Sequence, residues 1–376
     1  MKHPVALSYL LARPGHAVAG APPAGRTLHN DLMELLLAVR ESGSISAAAK
    51  QLDLSYRHVW GELKRWETRL DHGLIVWDKG QAARLTPFAA RLLWAEQQAQ
   101  ARLAPQIESL QVALEQCFAQ AFDDSGHVLQ LHASHDDALS LLRQHAGQAG
   151  LHLDIHFTGS VDAIRALNQG RCSMAGFHAL ERPPMGSVAQ RTYKPLLKPG
   201  LHKLIGFARR SQGLMVARGN PLGIHSLADV ARTGARFVNR PIGTGTRVLL
   251  DELLAQSGLQ AGQVKGYERT EPSHAAVAHA VASGKADAGL GLESSASAAG
   301  VTSRLEFIPL VREIYHLACL KSALDTPATQ ALLQVLASEG WQRQLQNLPG
   351  YESDGGGRVR RLNEQLPWWK FGAKRR

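Results

Sequence analysis

Between residues 43 and 70, apolar side chains recur at helical spacing in two short segments joined by a tight polar connection. The apolar positions are Ile45, Ala48, Ala49 and Leu52 in the first segment and Val59, Leu63, Trp66 and Leu70 in the second. This spacing puts them on one face of each helix. Ser44 or Ser46 is positioned to cap the start of the first helix, and Ser55 that of the second. The pattern predicts two packed helices.

The other faces of the second helix are polar and basic, with Tyr56, Arg57, His58, Lys64, Arg65 and Arg69. A basic helix face is most often only solvated, so this pair alone is a weak signal for DNA binding. Its surroundings strengthen the signal. Residues 74–77 and 83–86 predict two strands around the turn Asp78-Lys79-Gly80, and residues 32–42 predict an apolar helix that stops at Gly43.

A helix pair with an upstream helix and a β-hairpin wing is a winged helix-turn-helix, which reads duplex DNA. The residues expected to contact DNA are Ser44, Ser46, Ser55, Tyr56, Arg57, His58, Lys64, Arg65, Lys79 and Arg84. Residues 87–122 then predict one long helix with an apolar stripe, kinked at Pro105, before the break at 123–126.

From residue 127 the pattern changes to alternating strands and helices. Strands are predicted at 128–134, 151–157, 172–180, 213–217, 235–240 and 286–292, and helices near 137–150, 161–170, 248–258 and 274–284. Such alternation indicates a parallel α/β sheet, here as two lobes joined by crossover strands. Ligands of such folds meet strand ends and helix N-termini, where backbone N–H groups favour anions.

The composition narrows the range of expected binding partners. The chain has 376 residues with 42 Lys and Arg against 32 Asp and Glu, a formal charge of +10. This favours a polyanionic partner such as nucleic acid but does not exclude an anionic membrane surface or an anionic ligand. The three cysteines, Cys117, Cys172 and Cys319, fit a reducing compartment and are expected to be buried rather than metal ligands.

No segment is apolar enough to span a bilayer, and no catalytic constellation is found, so we expect a cytoplasmic protein that is not an enzyme. The start of the chain resembles a short secretory signal. Because Pro4, Arg13 and His16 interrupt its apolar stretch, we do not expect it to act as one.

Residues 28–95 resemble the DNA-binding domain shared by LysR-type regulators and molybdate-responsive ModE-type regulators. The resemblance rests on Gly43-Ser44-Ile45, Ala47-Ala48-Ala49, Leu54-Ser55-Tyr56-Arg57-His58-Val59-Trp60 and Arg84-Leu85-Thr86-Pro87. The run from Ser55 to Trp60 is closer to the ModE type. The resemblance implies that the long helix is a linker that pairs two chains, as a homodimer or a dimer of dimers, on successive major grooves. The alternative is a helix packed only on its own chain.

Residues 127–350 resemble the periplasmic-binding-protein-like effector domain of some ModE-type regulators and of proteins linked to molybdopterin biosynthesis. The matching pieces are Ala133-Ser134-His135-Asp136, Thr158-Gly159-Ser160, Ala175-Gly176-Phe177-His178, Gly219-Asn220-Pro221, Phe237-Val238-Asn239-Arg240, Gly243-Thr244-Gly245-Thr246-Arg247 and Ala286-Asp287-Ala288-Gly289-Leu290-Gly291. They imply a cytoplasmic sensor built on a solute-binding scaffold.

Residues 243–247 open a helix, so their hydroxyls, backbone N–H groups and guanidinium can converge on an oxyanion. An ordinary glycine-rich turn is the alternative. The expected ligand contacts are Ser134, His135, Ser160, His178, Arg240, Gly243, Thr244, Gly245, Thr246, Arg247 and Tyr315. The serines also suit helix caps, and ordinary packing would equally explain His178 and Tyr315, whose ligand roles rest on the resemblance.

Together these features predict an α/β protein with a winged helix-turn-helix over 1–86, a linker and dimerisation helix over 87–125, an effector domain over 126–352 and a flexible basic tail over 353–376. The predicted function is transcriptional regulation on double-stranded DNA in response to a small anion. No cofactor is required. By the resemblance, the effector is molybdate, tungstate or a molybdopterin-related molecule, although sulfate, phosphate or a carboxylate would use the same groups.

Two other functions remain open at this point. A non-regulatory anion- or cofactor-binding protein of molybdenum metabolism would use the same cleft without reading DNA. An enzyme acting on a phosphorylated metabolite would use residues 243–247 as a phosphate cradle but would need a general base, and the sequence offers none.

Overall fold

The computed structural model describes residues 30–76, 82–122, 127–298 and 301–369. It divides the chain into two compact units, Met1–Ala104 and Pro105–Arg376. The predicted turn at 78–80, with Lys79, and the predicted boundary at 123–126 lie outside the described residues.

The first unit opens with three helices, α1 (Asp31–Ser42), α2 (Ile45–Gln51) and α3 (Tyr56–Leu70). Their ends follow the predicted capping chemistry. Ser44 accepts a hydrogen bond from the N–H of Ala47, and Ser55 accepts one from the N–H of His58. Ser44 rather than Ser46 is therefore the cap of α2. Gly43 ends α1 with φ of 65°, a conformation that glycine adopts without steric cost.

The core of this unit is the predicted apolar face. Ile45, Ala48, Ala49, Val59 and Leu63 are buried. The half-buried side chains that pack against this core include Leu52, Trp66 and Leu70. The amphipathic pattern therefore predicted the buried face of each helix correctly, and burial is weakest near the C-terminal end of each.

A two-stranded hairpin follows, formed by β1 (Ile75–Val76) and β2 (Arg84–Leu85), with Ile75 opposite Leu85. The carboxylate of Glu67 in α3 accepts a hydrogen bond from the N–H of Leu74 at 2.8 Å. This contact fixes the wing to the end of α3. The winged helix-turn-helix predicted from the sequence is present in the described residues.

The helix α4 spans Pro87–Phe122, the range predicted from the sequence. It begins with proline at its first position, and Thr86 accepts a hydrogen bond from the N–H of Ala89 at 3.1 Å. The boundary between the two units falls inside this helix, at Pro105.

The second unit is a three-layer α/β structure. Its helices after α4 are α5 (Asp137–Gln148), α6 (Ser160–Asn168), α7 (Val188–Tyr193), α8 (Leu227–Thr233), α9 (Gly245–Gln256), α10 (His274–Ala282), α11 (Glu293–Ala296), α12 (Pro327–Ala337), α13 (Glu339–Gln346) and α14 (Leu362–Gln365). Its strands are β3 (His127–Ala133), β4 (Leu151–Phe157), β5 (Met174–Leu180), β6 (His202–Ala217), β7 (Phe237–Val238), β8 (Ala288–Leu292), β9 (Leu305–Leu320), β10 (Tyr351–Ser353) and β11 (Val359–Arg361).

These strands form a nine-stranded mixed sheet in the order β4-β3-β5-β9-β6-β8-β7, with β10 and β11 also paired to β6. The strands β3, β4 and β5 are parallel and form the first lobe, and β7 and β8 are parallel and form the second. The 16-residue strands β6 and β9 run antiparallel to each other through both lobes. The predicted two-lobed architecture is confirmed; of its crossover strands the sequence predicted only residues 213–217, the end of β6.

Residues 353–369 are not the flexible tail that the sequence predicted. The strand β11 pairs with β6, and Trp368 is 1% exposed among Leu362, Leu366 and the apolar side chains of α6 and α7. Gly355, Gly356 and Gly357, which suggested a flexible linker, all have positive φ and form the tight turn before β11. The expected tail beyond 369 lies outside the described residues.

We therefore predict that Trp368→Ala destabilises the second unit by about 3–5 kcal/mol, because it removes a fully buried aromatic side chain. Equilibrium urea unfolding followed by circular dichroism measures this loss. Trp369→Ala is the matched control, since Trp369 is only partly buried and should cost clearly less. Equal and small losses for both variants would mean that this end of the chain is not part of the core.

Candidate functional site: a DNA-reading helix and an enclosed anion cleft

The exposed start of α3 is the candidate DNA-reading surface. Tyr56, Arg57 and His58 are all exposed there. Lys64 and Arg65, one to two turns further along, are engaged in ion pairs within the helix, with Glu67 at 2.7 Å and with Glu62 at 2.6 Å. Among the described residues, neither Arg57 nor His58 has an ion-pair partner.

The remaining predicted DNA contacts lie around this start. The hydroxyls of Ser44 and Ser55 accept the hydrogen bonds that cap α2 and α3, and Ser46 is exposed on α2. Arg84 is exposed in the wing strand β2, opposite Val76. The first unit therefore presents exposed donors on α2, α3 and β2.

In the second unit, the predicted ligand residues of the first lobe come together. The hydroxyls of Ser134, after β3, and Ser160, at the start of α6, are 3.3 Å apart. Tyr315 in β9 donates its hydroxyl hydrogen to the carbonyl of Ser134 at 3.1 Å, and its ring lies 3.9 Å from that of His178 in β5. All four side chains are buried.

Glycines let the second lobe approach this group closely. A Cβ atom on Gly159 would lie 2.7 Å from the carbonyl oxygen of Gly243, which accepts a hydrogen bond from the N–H of Val161 at 3.3 Å. A Cβ atom on Gly245 would lie 2.6 Å from Cδ2 of His178. The starts of α6 and α9 therefore meet over His178, and any larger residue at Gly159 or Gly245 would push the lobes apart.

The second lobe contributes three linked polar side chains. Thr246 lies 3.3 Å from the side-chain nitrogen of Gln212 and 3.4 Å from Nε2 of His274, the first residue of α10. All three are at most 5% exposed. Sequence reasoning identified only Thr246 among them.

Arg240, after β7, is the dominant charge of this region. It is 3% exposed; one guanidinium nitrogen donates to the carbonyl of Glu271 at 3.0 Å, and Nε has no hydrogen-bond partner in the described structure. No carboxylate of the described residues forms an ion pair with it. Burial and the neighbouring guanidinium of Arg210 lower the pKa of Arg240 to about 9, so it is still predominantly charged at neutral pH.

A second buried arginine, Arg210, is paired with two carboxylates. Its guanidinium contacts the carboxylates of Asp136 and Glu313, and Tyr351 donates a hydrogen bond to Asp136 at 2.9 Å. Sequence reasoning missed this network. The available signal was the polar run 209–212 inside the otherwise apolar strand β6.

The two buried histidines are uncharged. Burial, reinforced by Arg210 for His178 and by Arg240 for His274, holds both pKa values well below the usual value. Neither ring nitrogen of His178, nor Nδ1 of His274, has a hydrogen-bond partner within the described chain. Unpaired polar atoms of this kind are costly unless a ligand or water completes them.

Three predicted ligand residues point elsewhere. Thr244 caps α9, accepting from the N–H of Arg247 and donating to the carbonyl of Pro241. The guanidinium of Arg247 lies 3.9 Å from the ring centre of Tyr267 and near the carboxylates of Asp251 and Glu268. Thr244 is therefore used as a helix cap, and Arg247 is held against Tyr267, although Nε and Nη1 of Arg247 have no hydrogen-bond partner in the described structure.

His135 is the third. Its Nε2 lies 3.3 Å from the carboxylate of Glu108 in α4, which also accepts a hydrogen bond from Ser140 at 2.7 Å. Burial opposes the charged imidazole, but Glu108 outweighs it and raises the pKa of His135. The residue next to Ser134 is thereby attached to the linker helix.

Within the described residues, no helix is long and apolar enough to cross a membrane, and no group of histidine, cysteine and carboxylate side chains could hold a metal ion.

The described residues thus combine a helix-turn-helix with a two-lobed α/β domain whose lobes meet at buried polar side chains. Residues 30–90 match the bacterial regulatory helix-turn-helix protein, lysR family, and residues 141–337, just over half of the chain, match the PBP superfamily domain. The chain belongs to the PBP superfamily and carries a lysR-family helix-turn-helix. It is a DNA-binding transcriptional regulator with an effector-binding domain, not an enzyme.

Two curated proteins share part of the sequence. The uncharacterized YvgK of Bacillus subtilis (strain 168) is 32% identical over 225 residues, which cover 60% of this chain and 71% of YvgK. An uncharacterized Clostridium pasteurianum protein, from the 5′ region of a ferredoxin 2Fe-2S gene, is 32% identical over 112 residues, or 30% of this chain and 96% of that protein.

Solved structures of regulators are more distant. CbnR, a LysR family transcriptional regulator, is 17% identical with a TM-score of 0.41, over 81% of this chain and 96% of CbnR. A probable transcriptional regulator of Pseudomonas aeruginosa is 16% identical with a TM-score of 0.40, over 82% of this chain and 95% of that one. Similarity at this level assigns neither an effector nor a DNA sequence to this chain.

The His135–Glu108 pair makes a pH-dependent prediction. Because the pKa of His135 is raised in the folded chain, the contribution of the pair to folding stability is complete below the usual histidine pKa of about 6.5. This contribution is lost as the pH rises through the raised pKa of the folded chain. Glu108→Gln should therefore cost about 1.5–3 kcal/mol near pH 6 and clearly less at pH 9. Gln keeps an acceptor for Ser140.

Thermal unfolding of the full chain at both pH values measures this difference. Glu339→Gln is the control, because Glu339 forms an exposed pair with Arg343, whose charge does not titrate in this range. A loss for Glu108→Gln that is the same at both pH values would contradict the charged pair.

Proposed function

We propose that this regulator reads operator DNA with the start of α3 and the wing, and that a small tetrahedral oxyanion occupies the cleft between its two lobes. Molybdate and tungstate are the proposed effectors, with a molybdenum-cofactor-related molecule as the larger alternative. The observation that carries the effector class is Arg240, a buried cation without a carboxylate partner. A buried charge without a counter-ion is unfavourable, and an anion would supply that counter-ion.

The groups around Arg240 support an oxyanion over a larger organic molecule. Gly245 at the start of α9 lies against His178 and the hydroxyl of Ser160, and the hydroxyl of Thr246, the next residue of α9, contacts Nε2 of His274. Gly159 provides no side-chain cap for α6, and at this end the N–H of Val161 donates to the carbonyl of Gly243. Hydroxyls, backbone donors and a guanidinium are the groups that bind oxyanions.

For DNA, the exposure of Arg57 and His58 supports a role in base reading. Both stand at the N-terminal end of α3, the part of a recognition helix that enters the major groove. Arg84 lies in the wing strand β2, and Lys79 belongs to the turn that the sequence predicts there; both are proposed to contact phosphates. Lys64 and Arg65 already pair with glutamates, so their contribution to phosphate binding is expected to be smaller.

The proposed partner of α4 is a second copy of this chain. Leu103 and Leu110 are 44% and 62% exposed and are seven residues apart, the spacing of helices that pair. A two-fold dimer would present two α3 helices one helical turn of DNA apart. Effector and operator would then be linked, because an anion that favours one dimer geometry changes DNA affinity to the same extent.

Arg57→Ala should weaken binding to the operator and relax base preference, because it removes a base contact, whereas Arg84→Ala should weaken binding to all sequences and reduce the salt dependence. Fluorescence anisotropy with operator and random duplex at several salt concentrations separates the two effects. Arg343→Ala, an exposed arginine of the second unit, is the control. If Arg57→Ala binds both duplexes as the parent does, the assigned reading face is wrong.

The same measurement tests the remaining alternative, a non-regulatory anion- or cofactor-binding protein of molybdenum metabolism. Such a protein would show no preference for any genomic fragment over random duplex.

A bound anion at a hundredfold excess over Kd should stabilise the second unit by about 2.7 kcal/mol, or about 5–10 °C in thermal midpoint. Thr246→Val and Arg240→Gln should each abolish this shift, because they remove a hydroxyl donor and the counter-charge. Arg247→Gln is the matched control, since its guanidinium rests on Tyr267. Molybdate, tungstate, sulfate and phosphate are the ligands to screen. A shift that survives Arg240→Gln and is lost in Arg247→Gln would reverse the placement.

A further inference from the structure

Gly61 lies in the interior of the helix α3, where the described chain gives no structural reason for a glycine. Its backbone is helical, and a Cβ atom there would meet no atom within 4 Å apart from its chain neighbours and its own helix backbone. Glycine destabilises a helix interior relative to alanine. Alanine would therefore suit the folded chain better, so we looked for a molecule outside the chain that requires the glycine.

Gly61 lies at the centre of the exposed face of α3. Val59 and Leu63, which are buried, are each two positions away from it, and helical spacing places them on the opposite face. Arg57 is about one turn before Gly61 and Arg65 about one turn after it, and all three residues are exposed. The exposed face therefore carries an arginine on either side of a position that has no side chain.

The side chains next to Gly61 are held away from it. Helical spacing places Trp60 to one side of Gly61 and Glu62 to the other. The ammonium group of Lys64 lies 4.9 Å from the ring centre of Trp60, and the guanidinium of Arg65 pairs with Glu62 at 2.6 Å. These contacts leave the helix surface over Gly61 open between two rows of side chains.

The charge and the width of this surface fit the major groove of DNA. Both glutamates on the outer side of α3, Glu62 and Glu67, are paired with cations, whereas Arg57 has no ion-pair partner among the described residues. A helix about 10–12 Å wide fills a groove about 12 Å wide, so the side chains at the centre of the inserted face limit how deeply it enters. A glycine at that centre allows the deepest entry.

We propose that Gly61 is the point at which α3 comes closest to the base edges in the major groove, and that operator-specific binding requires the absence of a side chain there. This inference rests on the proposed function, since it concerns the same reading helix. The depth of insertion decides whether Arg57 and His58 reach the bases. A side chain at this position should therefore affect specific binding more than random-sequence binding, which phosphate contacts dominate.

Gly61→Ala tests this role, because a role in DNA binding and a role in folding predict opposite changes in stability. The added methyl group should raise the thermal midpoint of the first unit, measured in the full chain, by about 2–8 °C. It should also weaken operator binding at least about tenfold, the effect of losing one good base contact. Gly61→Leu should weaken operator binding further.

Fluorescence anisotropy measures both affinities, with a duplex that the parent chain selects from a random library and with a scrambled duplex of the same composition. The affinity for the scrambled duplex should change less than about threefold. The matched control is Gly147→Ala in α5 of the second unit. Gly147 is also exposed, and a Cβ atom there would likewise meet nothing within 4 Å. Both affinities of this variant should equal those of the parent.

Unchanged operator affinity in Gly61→Ala would overturn this inference and leave the proposed function intact. An equal loss on both duplexes would also overturn it, because the helix would then face phosphates rather than base edges. A lower thermal midpoint would show that the fold itself needs the glycine, with the same consequence. A parent chain that selects no sequence from the library would overturn the proposed function as well.

Discussion

The guanidinium of Arg240 is the constraint on which the account of this cleft depends. It is enclosed at the junction of the two lobes, bonded to one backbone carbonyl and paired with no carboxylate in the described structure. Arg210, buried nearby, shows the opposite solution, with two carboxylates around it. Arg210 thus has two carboxylates beside it and Arg240 has none, so an anionic ligand next to Arg240 would supply the counter-charge that this guanidinium lacks locally.

The crossover strands explain how ligand binding at such a site could affect the rest of the domain. Because β6 and β9 run through both lobes, each lobe is attached to the other along the middle of the sheet, and the starts of α6 and α9 also meet, at Gly159 with Gly243 and at Ser160 with Gly245. Under the proposed function, a ligand in the space between them would change the angle between the lobes. The Glu108–His135 pair attaches α4 to the residue next to Ser134. A change at the cleft consequently has a short physical route to the helix that leads towards the DNA-binding unit.

Much of the fold could be predicted from local sequence signals. Ser44, Ser55 and Gly43 mark helix ends by chemistry that acts within a few residues, so the helix-turn-helix and the long helix were predicted nearly to the residue. The alternation of strands and helices predicted the two lobes for the same reason, because each of those elements is marked by residues close together in the sequence. The strand β9 and the first half of β6 were not predicted, because their polar residues are buried by partners far along the chain.

The site was predicted less well than the fold. Ser134, Ser160, His178 and Tyr315 do come together, and Thr246 contacts Gln212 and His274. Arg247 does not join them, because Tyr267, twenty residues later, takes its guanidinium. His274 was missed, since nothing in the helix that it opens sets it apart until the fold brings it to Thr246. Trp368 was read as part of a tail for a similar reason: its burial depends on α6 and α7, which lie far upstream.

Reciprocal linkage is the most direct measurement of the central claim that one chain couples an anion to DNA. The affinity of the full chain for its operator is measured with and without saturating molybdate or tungstate, and the affinity for that anion is measured with and without operator DNA. The account predicts that both affinities change by one common factor, of about 5–150. If either affinity stays the same in the presence of the other ligand, the cleft does not control DNA binding and the account is wrong.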